Sequence, residues 1–425
     1  MPATRIALAH PGPAPFVQQV GRALYEAGML LRFATTFVDR PDALWRNVLC
    51  RMADLTGQDL KRQLRRRAIT EFPLEKVVSK PGAEILRTLA SRWDKDGRLT
   101  DCIWEWAEKR FDQWVAGHAL QNADVVYGYE HACLNTFQSA QRRGILRVYE
   151  VPAPHHAFVK DIFEQEFAKY PELRTPYYEH LHKHQEQRTA RCMQEWELAD
   201  LVIVNSELTR RSFASNGADI DKVRVLPLGA PPIRGIGKNG GTATSEPIRF
   251  LWAGTFSMRK GAHYVLQAWE RLRPGRAARL DIVGAVRLPA SMLQRVPESV
   301  QFFNSVPRDE LFELYHRADA LVFPTLCDGF GMVVTEALAQ GLPVITTACA
   351  GASDLIKQHV NGLIIPSAEV DGLTTALDWC IDNRQALKSM RIAAIDTAAH
   401  WQWADFRQAL VQNLVAGLNT KPPSL

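Results

Sequence analysis

The strongest constraint on this chain is a double series of short apolar runs, each followed by a longer amphipathic stretch. "RIALAH", "DVVYGYE", "LRVYEV", "DLVIVNS" and "VRVLPLG" mark the first half, with helical patterns at Phe16 to Ala27, Leu134 to Arg143 and Thr189 to Leu198. "IRFLWAG", "RLDIVG", "VQFFNS", "ALVFP", "PVITT" and "GLIIP" repeat the alternation in the second half, with helices expected at His263 to Arg273, Arg308 to Ala318 and Val333 to Gln340. Apolar runs of strand length joined through helices imply parallel sheets covered on both faces. The chain therefore reads as α/β, with two Rossmann-like doubly wound domains in tandem.

Between the two series lies "APPIRGIGKNGGTATSEP", rich in Gly, Pro, Ser and Thr and without apolar periodicity, which predicts a linker over residues 230–247. At 425 residues the chain is long enough for two domains, expected at 1–229 and 248–400. Over 401–425, Trp403, Phe406, Leu410, Leu414 and Leu418 fall at helical spacing. Residues 40–115 carry few strand-like runs and many helix formers, which suggests a helical insertion in the first domain. Within it "KRQLRRR" gathers Lys61, Arg62, Arg65, Arg66 and Arg67, either a solvated helix face or a patch attracted to anionic lipid.

Composition narrows the function classes. Lys plus Arg number 51 against 46 Asp plus Glu, and the resulting +5 is too mild to indicate nucleic acid. Seven cysteines occur without a CxxC pair, which favours a reducing compartment over a disulfide framework or a structural zinc site. The opening residues lack a signal-peptide pattern, and no apolar run approaches the ~18 residues of a membrane span. A cytoplasmic protein, with at most peripheral membrane contact, is expected. P-loop, Gly-x-Ser-x-Gly and His-Glu-x-x-His motifs are missing. His180, His182 and His184 stand two apart, so a helix spreads them over different faces and a polar surface is favoured over a metal site.

The chemistry concentrates in "ALVFPTLCDGFGMVVTEALAQGLPVITT", a strand, a glycine-containing loop, a helix and a strand. Gly329 and Gly331 permit a tight turn and close approach of a ligand. The amides of Phe330, Gly331 and Met332 open the helix and offer an anion site. Asp328 before the helix and Glu336 inside it could bind separate sets of hydroxyls on an elongated ligand.

Here the sequence resembles glycosyltransferase family 4, retaining enzymes with the GT-B fold of two Rossmann-like domains facing across a cleft. Asp328, Gly329, Phe330, Gly331, Glu336, Ala337, Ala339, Gly341, Pro343, Val344 and Ile345 fill the family signature, with Asp328 where Glu is commoner. "FLWAGTFSMRKGAHYVLQAW" is similar to the family's first strand, loop and helix of the C-terminal domain. The resemblance puts Gly254 in the donor loop and Lys260 on the donor diphosphate. Thr255 replaces a frequent Arg, leaving Arg259 as candidate second cation. It also implies base contact near Val306, Asn304 and Ser305, a Gly12 loop over the reaction centre, and a histidine presented to the donor sugar. His155 and His156 are both candidates for that histidine. The C-terminal helix is expected to cross back to the first domain.

The implied function is retaining transfer of a sugar from a nucleoside-diphosphate sugar to a glycan or lipid-linked acceptor. Neither a metal cofactor nor a covalent protein intermediate is expected. A catalytically silent nucleotide- or glycan-binding partner protein is the alternative. A phosphorylase or epimerase would fit the fold but has no supporting motif.

Overall fold

The computed structural model describes residues 4–40, 64, 67–90, 94, 97–234 and 246–419. The first sheet contains β1 (Ile6–Ala9), β2 (Leu30–Thr35), β3 (Val77–Ser79), β4 (Val125–Tyr129), β5 (Leu146–Val151), β6 (Leu201–Val204) and β7 (Val223–Val225). All its pairings are parallel, in the spatial order β3-β2-β1-β4-β5-β6-β7. Its helices are α1 (Pro15–Glu26), α2 (Gly82–Ala90), α3 (Arg98–His118), α4 (Leu134–Arg142), α5 (His156–Lys169), α6 (Pro176–Leu198) and α7 (Glu207–Ala214).

The second sheet contains β8 (Ile248–Ala253), β9 (Ala278–Val283), β10 (Val300–Phe303), β11 (Ala320–Phe323), β12 (Val344–Thr347) and β13 (Gly362–Ile365). It is also parallel, in the order β10-β9-β8-β11-β12-β13. Around it lie α8 (Ala262–Leu272), α9 (Ala290–Leu293), α10 (Arg308–Arg317), α11 (Met332–Ala339), α12 (Val370–Asp382) and α13 (Arg384–Ala399), with α14 (Trp403–Asn419) closing the chain. Every residue of β1, β4, β6, β11 and β12 is buried, which is why these strands read as continuous apolar runs.

The stretch over 40–115 is not purely an insertion. Val77, Val78 and Ser79 pair with Phe33, Ala34 and Thr35, so the stretch supplies the edge strand of the first sheet. Phe111, Val115 and Ala119 of α3 and its C-terminal end cluster with Ala9, Ala34 and Ala132, making α3 the crossover layer between β3 and β4.

Chain order reverses beside β1, which lies between β2 and β4, and beside β8, which lies between β9 and β11. Such switch points leave a crevice at the carboxyl ends of the strands. Residues 235–245 of the expected linker lie outside the described residues. On its near side, Ala230 bridges to Gln402, and Trp401 Nε1 donates to the Pro227 carbonyl at 2.9 Å. Helix α14 packs on α1, where Arg407 reaches Gln19 Oε1 at 2.7 Å and Glu26 Oε2 at 3.0 Å. Leu410 and Leu414 of α14 belong to one apolar cluster that extends from Leu8 and Val20 to Val334 and Val344. No helix among the described residues is long and apolar enough to cross a membrane.

Candidate active site

The loop after β8 is shaped by two left-handed glycines, Gly254 at φ +103° and Gly261 at φ +79°. A Cβ at position 261 would lie 2.1 Å from the Pro324 carbonyl oxygen, so no larger residue fits as α8 begins. The resulting turn directs Lys260 toward the end of β11. Its ammonium lies 5.4 Å from the centre of the Phe323 ring and 3.8 Å from Asp328 Oδ2. Burial pushes the Lys260 pKa down, and the charge of Asp328 opposes that shift. Arg259 Nη1 donates to the Cys327 carbonyl at 2.6 Å and lies 3.5 Å from Asp328 Oδ2. The Asp328 carboxylate thus stands between two cations.

Gly331, at φ +84°, caps α11, and a Cβ there would come within 2.9 Å of the Phe323 ring. Gly331, Met332 and Val333 open the helix into a cleft of about 260 Å³, together with Lys260, Asp328 and Phe330. Amides at a helix start lack intrahelical acceptors, and those of Met332 and Val333 open on the same cleft as Lys260, an arrangement suited to an anion. Glu336 lies one turn further along. The Tyr315 hydroxyl donates to its Oε2 at 3.3 Å, and Arg308 approaches its Oε1 at 3.5 Å. Burial pushes the Glu336 carboxyl pKa up, against the pull of Arg308.

The first domain forms the opposite wall with Phe16, Glu150, Pro152, Asn205 and Leu228. Gly329 is pressed against it: a Cβ there would lie 2.0 Å from the Pro152 carbonyl oxygen and 3.0 Å from Ala153 Cα. Ser206 Oγ donates to the Gly329 carbonyl at 2.5 Å, and Asn205 Nδ2 donates to the Pro152 carbonyl at 2.8 Å. A Cβ on the neighbouring Gly351 would lie 2.0 Å from that same Gly329 carbonyl and 2.6 Å from Ser206 Cβ. Gly329 is therefore demanded by the backbone of the first domain, where the sequence suggested the approach of a ligand.

Neither candidate histidine lines this cleft. His155 is the N-cap of α5, where its Nδ1 accepts from the Ala157 amide at 3.2 Å and its ring packs edge-on against Phe213 at 5.0 Å. His156 turns toward Glu130 and His131, and burial lowers its pKa to about 4. Glu150, at the end of β5, supplies the carboxyl on this wall. It is 4% exposed and accepts from the Tyr127 hydroxyl at 2.6 Å, and burial raises its pKa to about 7. A glutamate inside the run "LRVYEV" carries no sequence signal that separates it from an outward-facing strand residue. Only the position of the strand end discloses it.

Gly12 follows β1, its amide donating to His10 Nδ1 at 2.9 Å, and a Cβ there would meet the Arg67 guanidinium at 3.2 Å. Arg67 is ion-paired with Glu84, so it does not extend a solvated basic stripe. Lys61, Arg62, Arg65 and Arg66 lie outside the described residues. Val306 is partly buried and packs on the main apolar cluster. His180 is hydrogen-bonded to Asp101 at 2.9 Å on the polar part of α6.

Two Rossmann-like parallel sheets, with a glycine-shaped loop and a helix start opening on a cleft between them, are the architecture of the GT-B class. Residues 238–397 match the family model described as glycosyl transferases group 1. The chain is similar to D-inositol 3-phosphate glycosyltransferase of Nocardia farcinica, 30% identical over 241 residues, which cover 52% of this chain and 53% of that protein. The match thus spans about half the length of that curated relative. Among solved structures, sucrose-phosphate synthase from Thermosynechococcus elongatus aligns with a TM-score of 0.64 at 17% identity, covering 98% of this chain and 100% of the other. Anabaena HepE, solved with UDP and glucose, aligns at 0.63 with 16% identity, covering 97% and 99% of the two chains. At these identities the likeness establishes the fold.

Proposed function

We propose that this protein is a retaining glycosyltransferase of family 4. It would move a sugar from a nucleoside diphosphate to a glycan or lipid-linked acceptor. The observation that carries this reading is the convergence of Lys260 and the first turn of α11 on one cleft between the sheets, with Arg259 3.5 Å from the lining residue Asp328. The leaving diphosphate gains charge as the glycosidic bond breaks. Two fixed cations and oriented amides stabilise that charge without a divalent metal. In the liganded protein, phosphate oxygens compete with Asp328 for Lys260 and Arg259, which releases Asp328 to accept from sugar hydroxyls. Glu336 would hold a second set of hydroxyls, and the Gly254 and Gly12 loops would bound the donor. We assign the contact from the first domain to Glu150 rather than to His155 or His156. A carboxyl that titrates near neutrality is suited to take up the proton of an acceptor hydroxyl. Retention is assigned through the family resemblance, and no nucleophilic residue is named. The described cysteines are not paired in disulfides, which supports the cytoplasmic location we propose.

Melting temperature measured against UDP, GDP, ADP, dTDP and CMP tests the reading. UDP leads the panel because HepE was solved with it. One nucleotide at ~100 times its dissociation constant adds about 2.7 kcal/mol to stability. Lys260→Ala should abolish that shift and lower the turnover of the matching nucleotide sugar by about 10²–10³. A shift that survives Lys260→Ala would remove the diphosphate from this wall. A nucleotide shift without turnover would favour the silent binding protein.

A further inference from the structure

Outside the cleft, four side chains of zinc-ligand type meet where β4, the start of α5 and α6 come together. Glu130 and His131 directly follow β4, His156 is the first residue of α5, and Cys192 lies on α6. His131 is held in the left-handed region at φ 71°, a conformation uncommon for a residue other than glycine. Helix α6 fixes it there, because Glu195 Oε2 accepts from its amide at 2.9 Å and Arg191 Nε donates to its carbonyl at 2.9 Å. The turn brings His131 Nδ1 to 3.2 Å from Cys192 Sγ. The His156 ring stands edge-on to that of His131 at 5.3 Å, and its Nδ1 lies 4.0 Å from Glu130 Oε1.

One ligand atom from each of the four residues lies within 4.8 Å of all the others. The Glu130 side chain is only 7% exposed, and its Oε1 has no hydrogen-bond partner. Leaving that buried oxygen unsatisfied is costly, while Cys192 is a hydrogen-bonding neighbour of the same carboxyl and of His131. A cation at the centre answers it. Zinc bonds of about 2.0–2.3 Å in a tetrahedron separate neighbouring ligand atoms by about 3.3–3.6 Å, within the range spanned by the two distances above. One thiolate and one carboxylate neutralise a divalent ion, and a thiolate with two imidazoles favours zinc over magnesium or calcium.

We propose that Glu130, His131, His156 and Cys192 form a closed structural zinc site that ties β4 to α5 and α6. The site uses no residue of the donor cleft, and it stands or falls independently of sugar transfer. It also revises the expectation from cysteine spacing, because its single thiolate is assembled with ligands far apart in sequence.

The test uses the full chain, purified after growth with zinc and analysed for metal, then stripped and reconstituted with cobalt(II). One zinc per chain is expected, together with a thiolate-to-cobalt charge-transfer band and the intense visible bands of tetrahedral cobalt. Cys192→Ser should lose the charge-transfer band, and Cys102→Ser, at an exposed thiol, should keep it. Folded wild-type protein that retains no zinc and gives only the weak spectrum of hydrated cobalt overturns the proposal, and this arm needs no variant to fold. A band that persists in Cys192→Ser but vanishes in Cys102→Ser also overturns it.

Discussion

Glu150 shows how a residue's place in the fold sets its chemistry. Its carboxyl is raised from 4.5 to about 7 by burial, so the folded protein keeps a proton that the unfolded chain releases. Stability from this group is therefore fully present below about pH 4.5 and is lost as pH rises toward about 7, by up to about 1.4 kcal/mol per unit. Glu150→Gln can still accept from Tyr127 but does not titrate. Denaturation curves at about pH 5 and about pH 8 should show the variant gaining on the wild type at the higher pH. A constant gap would mean that Glu150 ionises normally. At this scale the sequence was informative where one local motif builds the cleft wall. Lys260, Asp328 and Gly331 were named from neighbours in the chain, and the fold brings them to one wall. His155 and His156 do not line this cleft, since both belong to the start of α5 just after Pro152. His155 then spends its imidazole on capping α5, a role that sequence alone does not separate from binding a sugar.

Among the elements, a recurring device sets the strand register. Asp124, Asp200 and Asp319 each precede a strand, and each accepts from the backbone amide of an arginine on the neighbouring strand's entry: Arg5, Arg147 and Arg249. In the first two cases the guanidinium doubles the contact, with Arg147 at 2.8 Å from both Asp200 oxygens. Exposure decides what each pair contributes. Arg147 and Asp200 are 14% and 9% exposed, and Arg5 and Asp124 are 51% and 46% exposed. Asp200→Ala should cost about 1.5–3 kcal/mol, because it removes a charged hydrogen-bond partner from the mostly buried Arg147 guanidinium. Asp124→Ala should cost at most about 1 kcal/mol. Equal losses in urea titrations would mean that burial does not set the difference. All six strands of the second sheet were legible as apolar runs, whereas β2 and β3 were not. Strand β3 has three residues, too few for a period to declare itself, and β2 follows α1 so closely that its leucines continue the helical pattern. The polar half of α6 was legible only as a polar helical surface around His180, His182 and His184, and its length was not, because ion pairs hold it, among them Arg188 with Asp101 and Glu105.

For the molecule as a whole, α14 is the clasp between the halves. It follows the second domain in sequence yet buries Leu410 completely in the cluster shared with α1. Leu410→Ala should lower stability by about 2–5 kcal/mol. Hydrogen exchange should quicken in α1 as well as in α13; protection lost only in the second domain would refute the clasp. The meeting of Gly329, Gly351 and Ser206 has a further consequence for how such a chain can change over generations. Three positions drawn from both halves share a space that admits no added carbon at either glycine. Their histories are therefore joined: a half recombined in from a relative brings a working interface only if its own loops leave that space open. A domain boundary that looks permissive in sequence is, for inheritance, a point of mutual constraint.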